Sequence, residues 1–212
     1  MKLKNGLNPI MNKLLLILIL TLSFHTLTKA DDIRDFEIEG MSIGDSLLDF
    51  YLEKNILDSQ TTIFPGDKMF YDIHIPLDSD SYDQITYTVK SNDKEYIIEQ
   101  IAGDNYYYKN EGKNIDTQHS ACIKQKKIIT KEFEKTLNAV KKDEYKSEYS
   151  SIDDGKSFAE VVDFKFNDGS SIRIYCNKFT NETIEKRLFL NGLTVSISPI
   201  KVLDWLNDKA YK

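Results

Sequence analysis

Cysteine, proline, histidine and arginine are scarce in this 212-residue chain, and long apolar runs are scarcer. The longest uninterrupted one, Leu14 to Leu20, covers about a third of the length a bilayer-spanning helix needs, so no integral membrane segment is expected after it. With four prolines, nine glycines and no Gly-, Ser- or Pro-rich tract, the composition is globular rather than fibrous or disordered. Positive charge is in deficit as well. Residues 31–212 carry a net charge of −10, the wrong sign for gripping phosphates, which excludes nucleic acid as a partner.

Catalytic signatures are also missing. The chain has no G-x-S-x-G, no H-E-x-x-H, no phosphate-cradling glycine loop and no dinucleotide fingerprint, so no catalytic residue, metal set or cofactor is assigned. Beyond residue 30 only His74 and His119 remain. His74 falls on the polar side of a strand, where a surface position explains it better than a general base does.

What is present begins with an address. Lys2, Lys4 and Lys13 precede the apolar run, no acidic residue occurs before Asp31, and the segment closes on Thr28-Lys29-Ala30. This is the layout of a secretory signal peptide over residues 1–30, cleaved after Ala30. Translation from Met11 would give a shorter signal of the same form, so the start is open between Met1 and Met11. The first cysteine is Cys122, too late for a lipid anchor. The exported chain is expected in the periplasm or outside the cell. Arginine scarcity, with only Arg34, Arg173 and Arg187 against abundant Asn, Ile, Lys and Tyr, reads as an AT-rich genome's codon bias.

Residues 31–212 are of a size for one domain, or for two packed halves, 31–110 and 111–212. Phe36 and Ile38 make an extended lead-in that Gly40 breaks, and Leu47, Leu48, Tyr51 and Leu52 predict a helix started by Ser42 or Asp45. Alternation at Met69-Tyr71-Ile73-Ile75 and at Ile85-Tyr87-Val89 predicts two strands, and Ser91 to Lys94 turns the second into Tyr96–Ala102. The longest helix is predicted over Thr117–Val140, with Cys122, Ile129, Phe133, Leu137 and Val140 on one stripe. After a polar loop containing Asp153-Asp154-Gly155, Val162-Phe164-Phe166 and Ile172-Ile174-Cys176 form a second hairpin about Asn167–Ser170. Leu188-Leu190 and Leu193-Val195-Ile197 form a third about Asn191-Gly192, a pair suited to a type I′ turn. Ser198 and Pro199 start a short C-terminal helix. The expected class is α+β, antiparallel hairpins with one long packed helix, and the order helix-then-strands occurs twice, leaving open whether the halves are repeats.

Two cysteines in an exported chain favour a disulfide. Cys122 lies on the apolar stripe of the long helix and Cys176 shares a strand face with Ile172 and Ile174, so both point into one helix-on-sheet interface. The sharper alternatives are a zinc set of His119, Cys122 and Cys176, or a reactive thiol.

Three surface features could recognise a ligand. Asp78, Asp80 and Asp83 make an acidic loop that lacks the glycine and distal glutamate of a calcium loop. Tyr106, Tyr107 and Tyr108 cannot all face one core, so at least one is a candidate contact anchor. Charge is polarised, with net −13 over residues 31–108 and +4 over 109–146, which could orient the protein toward a partner.

The stretch Asp35-Phe-Glu-Ile-Glu-Gly-Met-Ser-Ile-Gly-Asp-Ser-Leu-Leu-Asp49, with the segments around Cys122 and Cys176, is similar to uncharacterised exported proteins of AT-rich marine alphaproteobacteria. That resemblance implies export and a paired cysteine arrangement, and no activity. Gly40-Met41-Ser42 with the helix after it also resembles outer-membrane assembly lipoproteins of the BamE type, which implies a protein-binding envelope module. The expected function is therefore a non-enzymatic periplasmic module that binds an envelope protein or a small ligand. The alternatives are a hydrolase-like enzyme with a dispersed site and an inhibitor of a secreted enzyme.

Overall fold

The computed structural model describes residues 30–61, 64–77, 81–107, 114–138, 140–149, 155–187 and 189–212. The signal-peptide expectation, Asp78, Asp80, Tyr108 and Asp153-Asp154 lie outside them.

Chain order runs through helix α1 (Glu53–Asp58), strands β1 (Gln60–Thr61), β2 (Phe70–Pro76), β3 (Gln84–Lys90) and β4 (Ile98–Tyr106), the long helix α2 (Ile115–Thr136), strands β5 (Lys141–Glu148), β6 (Phe158–Lys165) and β7 (Ser171–Lys178), helix α3 (Asn181–Arg187), strand β8 (Gly192–Ser198) and helix α4 (Ile200–Asp208). The strands form one antiparallel sheet in the order β1-β2-β3-β4-β8-β7-β6-β5. Each half is a four-stranded meander preceded by a helix. The last strands, β4 and β8, pair at the centre, and the first strands, β1 and β5, lie at the edges. The class is α+β, as the hairpin pattern predicts.

Alternation decides the two faces. Ile73 (β2), Ile85, Tyr87 and Val89 (β3), Ile98 and Ile101 (β4), Leu193, Val195 and Ile197 (β8), Ile172 and Ile174 (β7), and Val162 and Phe164 (β6) all enter one continuous core. α2 covers it through Cys122, Ile129 and Phe133. The segment from Ile33 to Leu47 covers the rest, with Phe36 packed on Phe133 and Phe166. Asn114 caps α2 by accepting from Thr117 N at 2.8 Å. On the opposite face α4 builds a smaller core of Phe64, Phe70, Val202, Trp205 and Ala210. Trp205 Nε1 donates to Asp67 Oδ1 at 3.1 Å.

Several local expectations are corrected. The helix at Leu47–Leu52 is a single 3₁₀ turn, Leu47–Asp49, capped by Ser46, and α1 begins only at Glu53. Leu52 is its extended N-cap and is 75% exposed. Met69 precedes β2 and is exposed. β5, Lys-Lys-Asp-Glu-Tyr-Lys-Ser-Glu, was hidden in the polar loop because an edge strand buries almost nothing on either face. The third hairpin does not form. Residues 181–187 are helical, and neither Asn191 nor Gly192 has positive φ. Instead Asn191 Oδ1 accepts from Phe179 N at 2.6 Å, its carbonyl accepts from Tyr107 N at 3.0 Å, and the chain enters β8 between β4 and β7. Ser198 closes β8, and Pro199 is the N-cap of α4. Gly103 sits inside β4 under the Tyr82 ring, where a Cβ would meet Tyr82 Cε1 at 2.4 Å, the close approach that a strand glycine allows.

Candidate functional site: the polar face of the sheet

The strand positions that alternate with the core point to the face away from α2, where α4 covers one end of the sheet. Three aspartates on this face are held by neighbouring strands. In Asp72 of β2, Oδ1 accepts from Thr88 Oγ1 at 2.6 Å, and burial, opposed by that bond and reinforced by the charge of Asp104, pushes its pKa up to about 6. In Asp104 of β4, Oδ1 accepts from Thr194 Oγ1 at 2.6 Å and Oδ2 from Thr86 Oγ1 at 3.3 Å. Its pKa is also raised by burial, against the pull of those hydroxyls. Asp163 of β6 is 1% exposed. It accepts from Ser171 Oγ, from Arg173 Nε at 3.3 Å and from Tyr145 Oη at 3.4 Å. Asp104 and Asp163, bonded on both oxygens, fix the side chains around them.

Between these anchors stand groups that can meet a ligand. Tyr106 (β4), Tyr175 and Arg173 (β7) are half-buried, and Tyr145 on β5 is 41% exposed. Burial raises the pKa of Tyr175, with the charge of Asp104 adding to it, so its hydroxyl stays neutral at physiological pH. His74, half-buried on β2, has its pKa lowered by burial. The arrangement offers neutral hydroxyls and one guanidinium on a wide surface. A pocket of about 240 Å³ opens near β1 and β2, lined by Gln60, Phe64, Lys68, Phe70, Tyr71 and Ser91, below the usual size of a small-molecule site.

The other predicted residues fall in different places. Cys122 and Cys176 form a disulfide, with Cα atoms 5.9 Å apart, which removes both thiols from the zinc and nucleophile alternatives. His119, one turn before Cys122, turns its Nε2 to Glu160 Oε1 at 3.1 Å and meets the Phe158 ring edge-on. Among the described residues its buried Nδ1 has no hydrogen-bond partner. Beside it Lys126 donates to the Glu160 carbonyl at 3.0 Å, and burial lowers its pKa. The tyrosine triple is split by strand alternation: Tyr106 faces the polar side, and Tyr107 turns under α2 to donate to Gln125. Asp83, the described member of the acidic loop, is structural: Tyr106 N donates to its Oδ2 at 2.7 Å. Among the described residues no three His, Cys, Asp or Glu side chains converge as metal ligands, and no helix is long and apolar enough to cross a membrane.

Sequence reasoning missed Asp72, Asp104 and Asp163 because each occupies a polar position of an alternating strand, which reads as solvent-facing. The available signal was a hydroxyl on the neighbouring strand: Thr88 directly opposite Asp72, Thr194 directly opposite Asp104, and Ser171 two positions from Arg173, which opposes Asp163. Comparison with protein-family models, curated proteins and solved structures returns no match.

Proposed function

We propose that the chain is exported into an oxidising compartment, the periplasm or the exterior, and acts there as a non-enzymatic module that binds a protein on the polar face of its sheet. The observation that carries this is the surface around Tyr106, Tyr145, Tyr175 and Arg173, held by buried carboxylates bonded across strands. Tyrosine and arginine on a rigid, broad surface are the residues that dominate protein interfaces, because they bring area and hydrogen bonds at small entropic cost. The Cys122–Cys176 bond supports the compartment. An inhibitor of a secreted enzyme would use the same surface.

The test is capture of a partner from the extracytoplasmic fraction with the disulfide-bonded protein as bait. Capture should be lost in Tyr106→Ala and Tyr175→Ala and kept in Lys131→Ala, a change on the exposed side of α2. Equal capture by all variants would sink the assignment of this face. Mass spectrometry of the native protein should find its N-terminus at Asp31, and an intact Met1 or Met11 would sink export.

A further inference from the structure

We infer that β5 is a dimerisation edge, and that its occupant is β5 of a second copy of this chain. Among the described residues β5 has a neighbour, β6, on one side only. It is eight residues long and almost wholly exposed. An edge of that length presents a row of backbone groups able to pair with another strand, and lysines on it ordinarily act to prevent this. Within the chain Lys142 pairs with Glu134 and Glu144 at 2.7 Å, Lys141 pairs with Asp143 at 3.0 Å and Lys146 lies over the Phe158 ring; self-pairing sets a further carboxylate, from the second copy, opposite Lys142 and Lys146.

Pairing with β6 puts Lys142, Glu144, Lys146 and Glu148 on the face of α2 and Lys141, Asp143, Tyr145 and Ser147 on the polar face. Two copies of an edge strand joined antiparallel are related by a two-fold axis normal to the sheet. Residues of one face then oppose residues of the same face, and only registers centred on a residue are allowed. Centred on Tyr145, the register sets Lys142 against Glu148 and Glu144 against Lys146 of the second copy, each pair occurring twice by symmetry. Tyr145 meets its own equivalent, an aromatic cross-strand pair. Shifting the centre by one residue either way destroys this. Centred on Glu144, Lys142 meets Lys146 and Glu144 meets itself; centred on Lys146, Glu144 meets Glu148 and Lys146 meets itself. Centred two residues away, on Asp143 or Ser147, lysine meets glutamate again but over only part of the strand, so Tyr145 is the centre that pairs all four charges of the α2 face. The resulting contact is closed, because pairing about a two-fold axis uses the β5 edge of both copies; the opposite edge strand, β1, has two residues among those described.

Sedimentation of the purified, disulfide-bonded protein tests this. The expected result is a reversible dimer that weakens with salt. Glu144→Lys opposes two lysines at both symmetric positions and should weaken the dimer by about tenfold or more, while Glu144→Lys combined with Lys146→Glu restores it. Register is read separately by mild oxidation. Tyr145→Cys should cross-link rapidly, since directly opposed residues have Cα atoms about 4.5–5.5 Å apart, within disulfide range. Ser147→Cys, four positions from its own equivalent, should not. A monomer at every concentration, a dimer indifferent to Glu144→Lys, or equal cross-linking by both cysteine variants would each overturn the inference.

Discussion

Cys122 of α2 and Cys176 of β7 stand 5.9 Å apart at Cα and join the long helix to the sheet beneath it. Both are fully enclosed in the main core. The bond spans 54 residues, for which the chain-entropy model gives a stabilisation of about 4 kcal/mol. Replacing both by Ser should lower the unfolding free energy in urea by about 3–4 kcal/mol while leaving partner capture intact wherever the variant stays folded. Full stability with lost capture would assign the sulfurs a chemical role instead.

Asp72 predicts a pH dependence of definite sign. Its pKa is raised from 3.8 to about 6 in the folded protein, so the native state keeps a proton that the unfolded chain releases. This contribution is greatest below about pH 4, declines as pH rises to about 6, and leaves the ionised form destabilising by about 3 kcal/mol above that. Asp72→Asn, which can still accept from Thr88, should match the wild type near pH 4 and exceed it by about 2–3 kcal/mol at pH 8. A constant difference across that range would contradict the assignment.

Asp163 anchors three strands through Tyr145, Arg173 and Ser171. Asp163→Ala leaves these donors without their acceptor and should cost about 2–4 kcal/mol. Hydrogen exchange should show β5 opening more readily in this variant, since Tyr145, together with Asp143 through Lys165, ties it to the polar face. Unchanged exchange in β5 would show that its backbone pairing with β6 and its other side-chain ties hold it without Tyr145.

Gly103→Ala places a methyl against the Tyr82 ring and should cost about 1–3 kcal/mol as an overpacked contact. Pairing it with Tyr82→Ala should make the two losses less than additive, measured by a double-mutant cycle. Additive losses would mean that the ring is not what excludes the side chain.

The core side of the fold was legible because strong alternation at Ile85-Tyr87-Val89 and Ile172-Ile174-Cys176 has one solution when one sheet face is buried. The disulfide followed from the same periodicities. Where burial leaves no trace, the sequence misled. β5 reads as a loop because its charges fit solvent on either face, and Asn191-Gly192 reads as a hairpin because local turn chemistry says nothing about β4 waiting as a partner. The tyrosine triple announced a surface but not which member reaches it, since the answer depends on the register of β4 against β8. The polar-face aspartates were hard to read because only strand register joins each to its hydroxyl: Ser171 lies 8 residues from Asp163 and Thr88 16 from Asp72, while Thr194 lies 90 from Asp104.

The central pairing of β4 with β8 also sets the order in which the molecule can be completed. A chain that emerges N-terminus first can finish β1 to β4 early, yet the outer edge of β4 stays bare until β8, the last strand, has arrived. Joining the halves is thus a late, long-range closure, the kind of step that slows folding because chain entropy is lost before contacts are gained. A polypeptide built this way locks only when its last strand is free to pair. Truncation ahead of Gly192 would give two sheets with naked edges prone to aggregate, not a smaller version of the protein.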